Sequence, residues 1–305
     1  MENMIRFLPV LLLVTCIEAR AQRVVQFDKS SAYHHIQVYD EGDVRTLSFN
    51  GSWETTMSLD DPHEGHFEYT EYFQMPWLWN HNIHRMLMVG LGGGSTPRAY
   101  QYYYPQVRID TVEIDPAVVE VAQKYFHVEQ TTNHVIHVED ARVFMRRTTN
   151  KYDVILMDAY STTRYGSSLP PHLTTREFFE IASSRLTTNG VFAYNVIGQM
   201  GVGGFRTEVM GAMYRTMAAV FPRVYFFPAK ETQNVVMIGT KSREFFDANR
   251  IRREADLLVR SNIVTLPTFA ERSRSFTPQL PAAANRSPIL TDDYAPIEAL
   301  LNGNK

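Results

Sequence analysis

Apolar and polar positions along the chain follow two regimes. Up to about residue 75 the runs are short and alternate. "HIQVYDEG" and "VRTLSFNG" place every second side chain on one face, with a polar "DEGD" turn between them and Asn50-Gly51 after them. Alternation closed by an Asn-Gly pair predicts antiparallel strands joined by tight turns. The pattern then changes. "RMLMVG", "VRIDTVEI", "HVIHVE", "YDVILMD" and "GVFAYNVI" are short strand-like runs. Three of them are rich in Val and Ile without strict alternation, as suits strands covered on both faces. Helical stretches separate them, roughly 96–103, 116–126, 140–147 and 174–187. Pro116 suits a first helical turn, and Asn189-Gly190 is expected to stop the fourth helix. This alternation predicts an α/β fold with a parallel sheet and helices on both faces. A further helix is expected near 204–220 and an amphipathic one within 243–260. "RVYFFP" and "NVVMIGT" are expected as an antiparallel hairpin at one sheet edge. "FTPQLPAAANRSP" is a loop.

Composition narrows the classes. With 305 residues, 44% of them hydrophobic, the chain can bury a core as one large domain with a cap or as two modest domains. A net charge of −3 exerts no long-range pull toward nucleic acid or an anionic membrane. The N-terminus has the form of a targeting segment. Arg6 precedes "FLPVLLLVTCI", and Ala19 and Ala21 are spaced as an A-x-A cleavage site before Gln22. The run is too short to span a bilayer, which takes about 20 residues. The expected organisation is a signal peptide over 1–21, an N-terminal β domain over 22–75 and a Rossmann-like domain over 76–305. Export to the periplasm or outside the cell follows if the segment is cleaved, and a cytoplasmic location if it is not. Cys16, the sole cysteine, lies inside it, so a chain starting at Gln22 has no thiol.

The candidate chemistry gathers at strand ends. In a doubly wound sheet, ligands sit beyond the C-terminal ends of the strands. The first such end carries Gly90, Gly92, Gly93 and Gly94, four glycines in five residues. They are neither a clean G-x-G-x-x-G nor a P-loop. Glu113, about 20 residues on, is placed to accept both hydroxyls of a ribose, in NAD and S-adenosyl ligands alike. Asp140 with the adjacent backbone at Ala141 is placed to read an adenine edge, and Asp158 ends the fourth strand over the same cleft. A helix N-cap is the competing role for Asp140 and Asp115. Jointly the strand-tip carboxylates point to a nucleoside site. The histidines show no metal-binding set. His134 and His137, at odd spacing on one strand, are expected on opposite faces. Trp77 and Trp79 are expected at the rim of the cleft or at an interface. Tyr102, Tyr103 and Tyr104 are expected as packing. Asp292 and Asp293 either cap the cleft or order the tail.

"YHHIQVYDEGDVRTLSFNG", "EYTEYFQMP", "MLMVGLGGGSTPR", "VEIDPAVVEVAQKYF", "VEDARVFMR", "YDVILMDAY" and the closing "LTDDYAPIE" resemble the polyamine aminopropyltransferase family, of which spermidine synthase is the best-known member. The resemblance covers nearly everything after the N-terminal segment. It implies a small N-terminal β domain, a Rossmann-like domain of the methyltransferase type, decarboxylated S-adenosylmethionine as donor and a diamine as acceptor. It also suggests a homodimer. Two departures stand out. Gly93 falls where the family's GGGDGG loop has an aspartate, and Ser161 falls where a D-x-x-D after the fourth strand has its second acid. Asp158 is kept, and Tyr69 persists from a Y-x-E element with Glu71. Glu54 takes the place of a glutamine. The implied roles are ligand-backbone contact at Gly90, Gly92 and Gly94, ribose at Glu113, adenine at Asp140, and the reacting amine at Asp158 and Tyr69. The alternatives are a methyltransferase using intact S-adenosylmethionine, or a non-catalytic exported binder of polyamines or nucleosides. No metal is expected in any of them.

Overall fold

The computed structural model describes residues 22–163, 166–203 and 206–302. The proposed signal peptide and Cys16 lie outside the described residues. The chain enters a four-stranded antiparallel meander, β1 (Val24–Ser30), β2 (His35–Glu41), β3 (Val44–Phe49) and β4 (Ser52–Ser58), in the order β1-β2-β3-β4. Asn50 and Gly51 both have positive φ, 49° and 87°, as the tight turn between β3 and β4 requires. The alternation then ends: residues 68–78 form a 3-10 helical segment (Glu68–Leu78) where the sequence pattern suggested strands.

A seven-stranded mixed sheet follows. Its strands are β5 (Arg85–Val89), β6 (Arg108–Glu113), β7 (His134–Val138), β8 (Tyr152–Met157), β11 (Leu186–Ile197), β12 (Arg223–Pro228) and β13 (Asn234–Thr240). A small hairpin, β9 (Ser161–Thr163) and β10 (Gly166–Ser168), intervenes after β8. The order is β12-β13-β11-β8-β5-β6-β7, with β5, β6, β7, β8 and β11 parallel and the β12–β13 hairpin antiparallel at the edge, as expected. The strand order reverses at β5, so a crevice opens beyond the tips of β5 and β8, where such sheets bind ligands.

The helices are α1 (Ser95–Tyr103), α2 (Pro116–Tyr125), α3 (Ala141–Arg147), α4 (Arg176–Arg185), α5 (Thr207–Ala218), α6 (Ala248–Arg260), α7 (Phe269–Ser273) and α8 (Ile297–Asn302). Helix α4 ends before Asn189-Gly190. Leu186 is already extended and buried, so the chain passes straight into β11, and the Asn-Gly pair sits where the β11–β8 register shifts between Leu186 and Val191. Core burial outweighed the local stop signal. One apolar cluster joins the sheet to α3, α4 and α5, and a second joins its other face to α1, α6, α7 and the 3-10 segment. Trp77 and Trp79 belong to this second cluster, against Tyr104 and Tyr225, rather than to the cleft rim or interface expected of them; their indoles fill the space between the 3-10 segment and the sheet. A third cluster seats the N-terminal meander on α2 and on Leu91 of the glycine bend.

Among the described residues, no helix is long and apolar enough to cross a membrane. Nor does any group of three or more His, Cys, Asp and Glu among them form a potential metal site.

Candidate active site

One cavity of about 460 Å³ occupies the crevice, within the size range of small-molecule pockets. At one end lies the glycine bend after β5, with Gly90, Gly92 and Gly94 all at positive φ. The bend is tied to its neighbours: Gly90 N–H donates to the Val112 carbonyl at 2.9 Å, and Asp158 N–H donates to the Val89 carbonyl at 2.9 Å. A side chain at Gly90 would overlap the Asp158 backbone. Its glycine therefore follows from strand-tip packing as well as from any ligand. Arg98 holds the bend from behind, donating to the carbonyls of Gly93 at 3.1 Å and Phe126 at 2.6 Å.

Gly93 is held against β4 of the N-terminal meander. A Cβ there would lie 2.6 Å from Thr55 Cγ2 and 2.9 Å from Thr55 Cβ. Thr55 of β4 fills that space, and its hydroxyl accepts the Gly93 N–H at 2.9 Å. A methyl and a hydroxyl thus occupy the space beside Gly93.

Glu113 sits at the tip of β6. Its Oε2 accepts the Leu91 N–H at 2.9 Å and its Oε1 the Asp115 N–H at 2.9 Å. Burial pushes its carboxyl above the usual range, against the pull of these N–H groups. A carboxylate oxygen has more than one lone-pair site, so each oxygen retains acceptor capacity toward the cavity. Asp115 is the N-cap of α2, accepting Ala117 N–H at 2.9 Å and the Ser31 hydroxyl. It does not line the cavity. Asp140 takes the N-cap role, holding α3 through Val143 N–H at 2.8 Å, and with Ala141 it also lines the cavity. Its other oxygen meets His172 Nε2 at 2.9 Å. Arg142 donates to the His172 carbonyl at 3.0 Å and grips Asp292 with both terminal nitrogens. Asp292 also accepts from Thr175, so this acid orders the tail rather than capping the cleft.

At the other end, Asp158 follows β8 directly. It accepts the Tyr69 hydroxyl at 3.1 Å and the Asn195 amide at 2.9 Å, and Asn234 donates to Asn195 at 3.0 Å. Burial raises Asp158 from the ordinary carboxylate value to about 6, while Asn195 and Tyr69 pull it down. Glu54 lines the same cavity. Burial and then the charge of Asp158 push it up to about 8, eased by the Ser167 hydroxyl. Tyr160 donates to the Asn195 carbonyl at 2.6 Å and walls this end. Ser161 lines the cavity too, its hydroxyl donating to the Ser168 carbonyl at 3.3 Å.

Tyr69 is positioned from beneath by buried Glu68. The Glu68 carboxylate accepts the N–H groups of Lys230 and Glu231, each at 2.7 Å, the Tyr72 hydroxyl at 2.8 Å and Arg272 at 2.9 Å. Arg272 also pairs with Glu71. The retained Glu71 thus anchors the segment, and it does not line the cavity.

The structure therefore brings Gly90, Gly92, Glu113, Asp140, Ala141, Asp158 and Tyr69 to one cavity, with Gly94 beside it as the N-cap of α1. His134 and His137 take opposite faces of β7, toward Thr111 and Asp110. Sequence reasoning did not single out Asn195, Asn234, Tyr160 or His172. The one available signal was Asn195 itself, a lone amide inside the apolar run "GVFAYNVI", since a buried amide requires a partner.

A methyltransferase-type Rossmann sheet with a separate antiparallel β domain, meeting at a cleft lined by strand-tip acids, defines the fold class. Within it, residues 66–244 match the spermine/spermidine synthase domain, and the chain belongs to that family. It is 29% identical over 290 residues to the polyamine aminopropyltransferase of Vibrio vulnificus (strain CMCP6), covering 92% of each chain. A probable spermidine synthase from Corynebacterium glutamicum superposes with a TM-score of 0.64 at 23% identity, over 76% of this chain and 86% of that one. Human methyltransferase-like protein 13, solved in complex with SAH, superposes with a TM-score of 0.54 at 26% identity, over 65% of this chain and 91% of that one.

Proposed function

We propose that this chain transfers an aminopropyl group from decarboxylated S-adenosylmethionine to a polyamine-type acceptor. The observation that carries the reading is the single cavity that joins the glycine bend and Glu113 at one end to Asp158, held by Tyr69 and Asn195, at the other. Gly90, Gly92 and Gly94 let the donor approach the backbone. Glu113 receives the ribose hydroxyls, and Asp140 with the Ala141 backbone receives the adenine. In the transfer, the amine lone pair forms a C–N bond to the carbon beside sulfur. The C–S bond breaks with its electron pair on sulfur, leaving a neutral thioether that needs no acid. The nitrogen sheds one proton, and Asp158, with its value near 6, is a carboxylate at neutral pH that can take it. Tyr69 and Asn195 fix its direction, which is the larger part of what a site contributes to such an in-line displacement.

One observation favours a second reading, methyl transfer from intact S-adenosylmethionine. With Thr55 filling the space at Gly93, a donor tail bearing its own carboxylate meets no like charge there. The SAH complex of methyltransferase-like protein 13 fits such a donor. Incubating the purified protein with each donor and a panel of amines, with mass detection of the nucleoside product, separates the two. Methylthioadenosine is the expected product. S-adenosylhomocysteine in its place selects methyl transfer. Neither product, with tight spermidine binding, overturns catalysis in favour of a binder.

A further inference from the structure

We infer that Glu54 is the second acid of the amine end, set across the cavity from Asp158 to receive the ammonium group of an alkyl di- or polyamine. The inference rests on the amine-acceptor reading above.

The backbone of β4 makes the case first. In its pairing with β3, Thr55 lies opposite Leu47 and Trp53 opposite Ser48, so Glu54 is the one extra residue of a β-bulge. In a regular strand, neighbours point to opposite faces. Here Glu54 and Thr55 both line the cavity. The bulge turns the carboxylate inward beside the threonine that closes off Gly93. The two acids come from different sheets, Glu54 from the N-terminal meander and Asp158 from the tip of β8.

The surroundings make the case next. Among the described residues, no Lys, Arg or His pairs with Glu54 or Asp158. The groups facing Glu54 are Asp158, Tyr69 from the 3-10 segment, Tyr160 from the turn after β8, and the Ser167 hydroxyl of β10 at 3.5 Å. Two enclosed acids with no cation paired to them among the described residues make a site for a cationic ligand. The aromatic walls, Trp53, Phe67, Tyr69 and Tyr160, suit a methylene chain and stabilise the cation face-on. A carboxamide at position 54 could accept a hydrogen bond from an ammonium group but could neither balance its charge nor take its proton. Ser161, on the same wall as Asp158, is the other position from which a carboxylate would reach this space.

Protons report the contact. In the empty cleft, Glu54 holds a proton at neutral pH, and an arriving ammonium displaces it. Calorimetry of spermidine binding at pH 7.5, in two buffers of different ionisation enthalpy, reads that release directly. The wild type should release a proton on binding. Glu54→Gln should weaken spermidine by about 10-fold or more, a loss typical of a charged hydrogen-bond partner. It should also abolish the release, while methylthioadenosine binds within twofold of wild type. Moving the charge, in Glu54→Gln with Ser161→Asp, should recover most of the lost affinity. If Glu54→Gln binds spermidine as tightly as wild type with the same proton release, the inference is overturned and the amine-acceptor reading stands. If the wild type binds methylthioadenosine but neither spermidine nor putrescine, both are overturned.

Discussion

The acid pair makes a prediction about stability that needs no substrate. Glu54 is raised from 4.5 to about 8 in the folded cleft. The folded value lies above the unfolded one. Its contribution to stability is therefore complete below about pH 4.5 and is lost as pH rises through about 8. The rise spans about 3.5 pH units at about 1.4 kcal/mol each, so forcing the charge into the empty cleft costs about 5 kcal/mol at most. Water entering the open cavity lowers that figure. Glu54→Gln keeps the shape and an acceptor for Ser167 and carries no charge at any pH. Relative to wild type, it should be near neutral at pH 4.5 and stabilised progressively up to pH 9. At about 2 °C per kcal/mol for a chain of this size, the gain at pH 9 is several degrees and at most about 10 °C. Thermal unfolding of both proteins from pH 4.5 to 9 checks it. Parallel curves across that range would refute the placement of Glu54 against Asp158. Loss of stability in the variant at high pH would mean that Glu54 has a cation partner.

Three further outcomes follow from the same geometry. Asp158→Asn should lower amine transfer by ~10²–10⁴-fold, as for loss of a proton acceptor, and leave the thermal shift by methylthioadenosine intact; an unchanged rate would remove Asp158 from the chemistry. Gly93→Asp should destabilise the protein by about 1–3 kcal/mol through overlap with Thr55. Adding Thr55→Gly should recover stability, and a denaturant titration in which Gly93→Asp alone matches wild type would contradict the packing. Glu113→Ala should cost about 1–3 kcal/mol by leaving the Leu91 and Asp115 N–H groups without their acceptor. It should also abolish the methylthioadenosine shift; retention of that shift would place the ribose elsewhere.

The strand-tip residues were legible because parallel β-α alternation encodes position. Once "VRIDTVEI" and "YDVILMD" are strands of one sheet, Glu113 and Asp158 must end them on the same edge. The Asn50-Gly51 turn and the β12–β13 hairpin were legible for the same local reasons. What sequence did not show depends on which surfaces meet. Trp77 and Trp79 look the same before a cleft or inside a core, and only packing against Tyr104 and Tyr225 separates the two. The β4 bulge leaves no periodic mark, so "SWETT" does not announce that Glu54 and Thr55 share a face. Four glycines suggested close ligand approach. The structure shows that Gly90 and Gly93 are required by the chain's own Asp158 backbone and Thr55 as well. Asp140 illustrates the reverse: cap and cavity wall are compatible, with one oxygen on the helix N-terminus and the other on His172.

The Glu68–Arg272 pair joins an early part of the chain to a late one. Glu68 is synthesised 204 residues before the arginine that neutralises it, and its two backbone donors, at Lys230 and Glu231, also come late. An uncompensated buried carboxylate costs about 3–5 kcal/mol, enough to keep the Tyr69 segment from docking. The glycine bend draws its partners, Glu113, Phe126 and Asp158, from earlier in the chain. The wall around Tyr69 has to wait until Arg272 has left the ribosome. A ribosome-bound chain stopped short of that residue would offer the segment around Tyr69 to a protease, and a longer one would not.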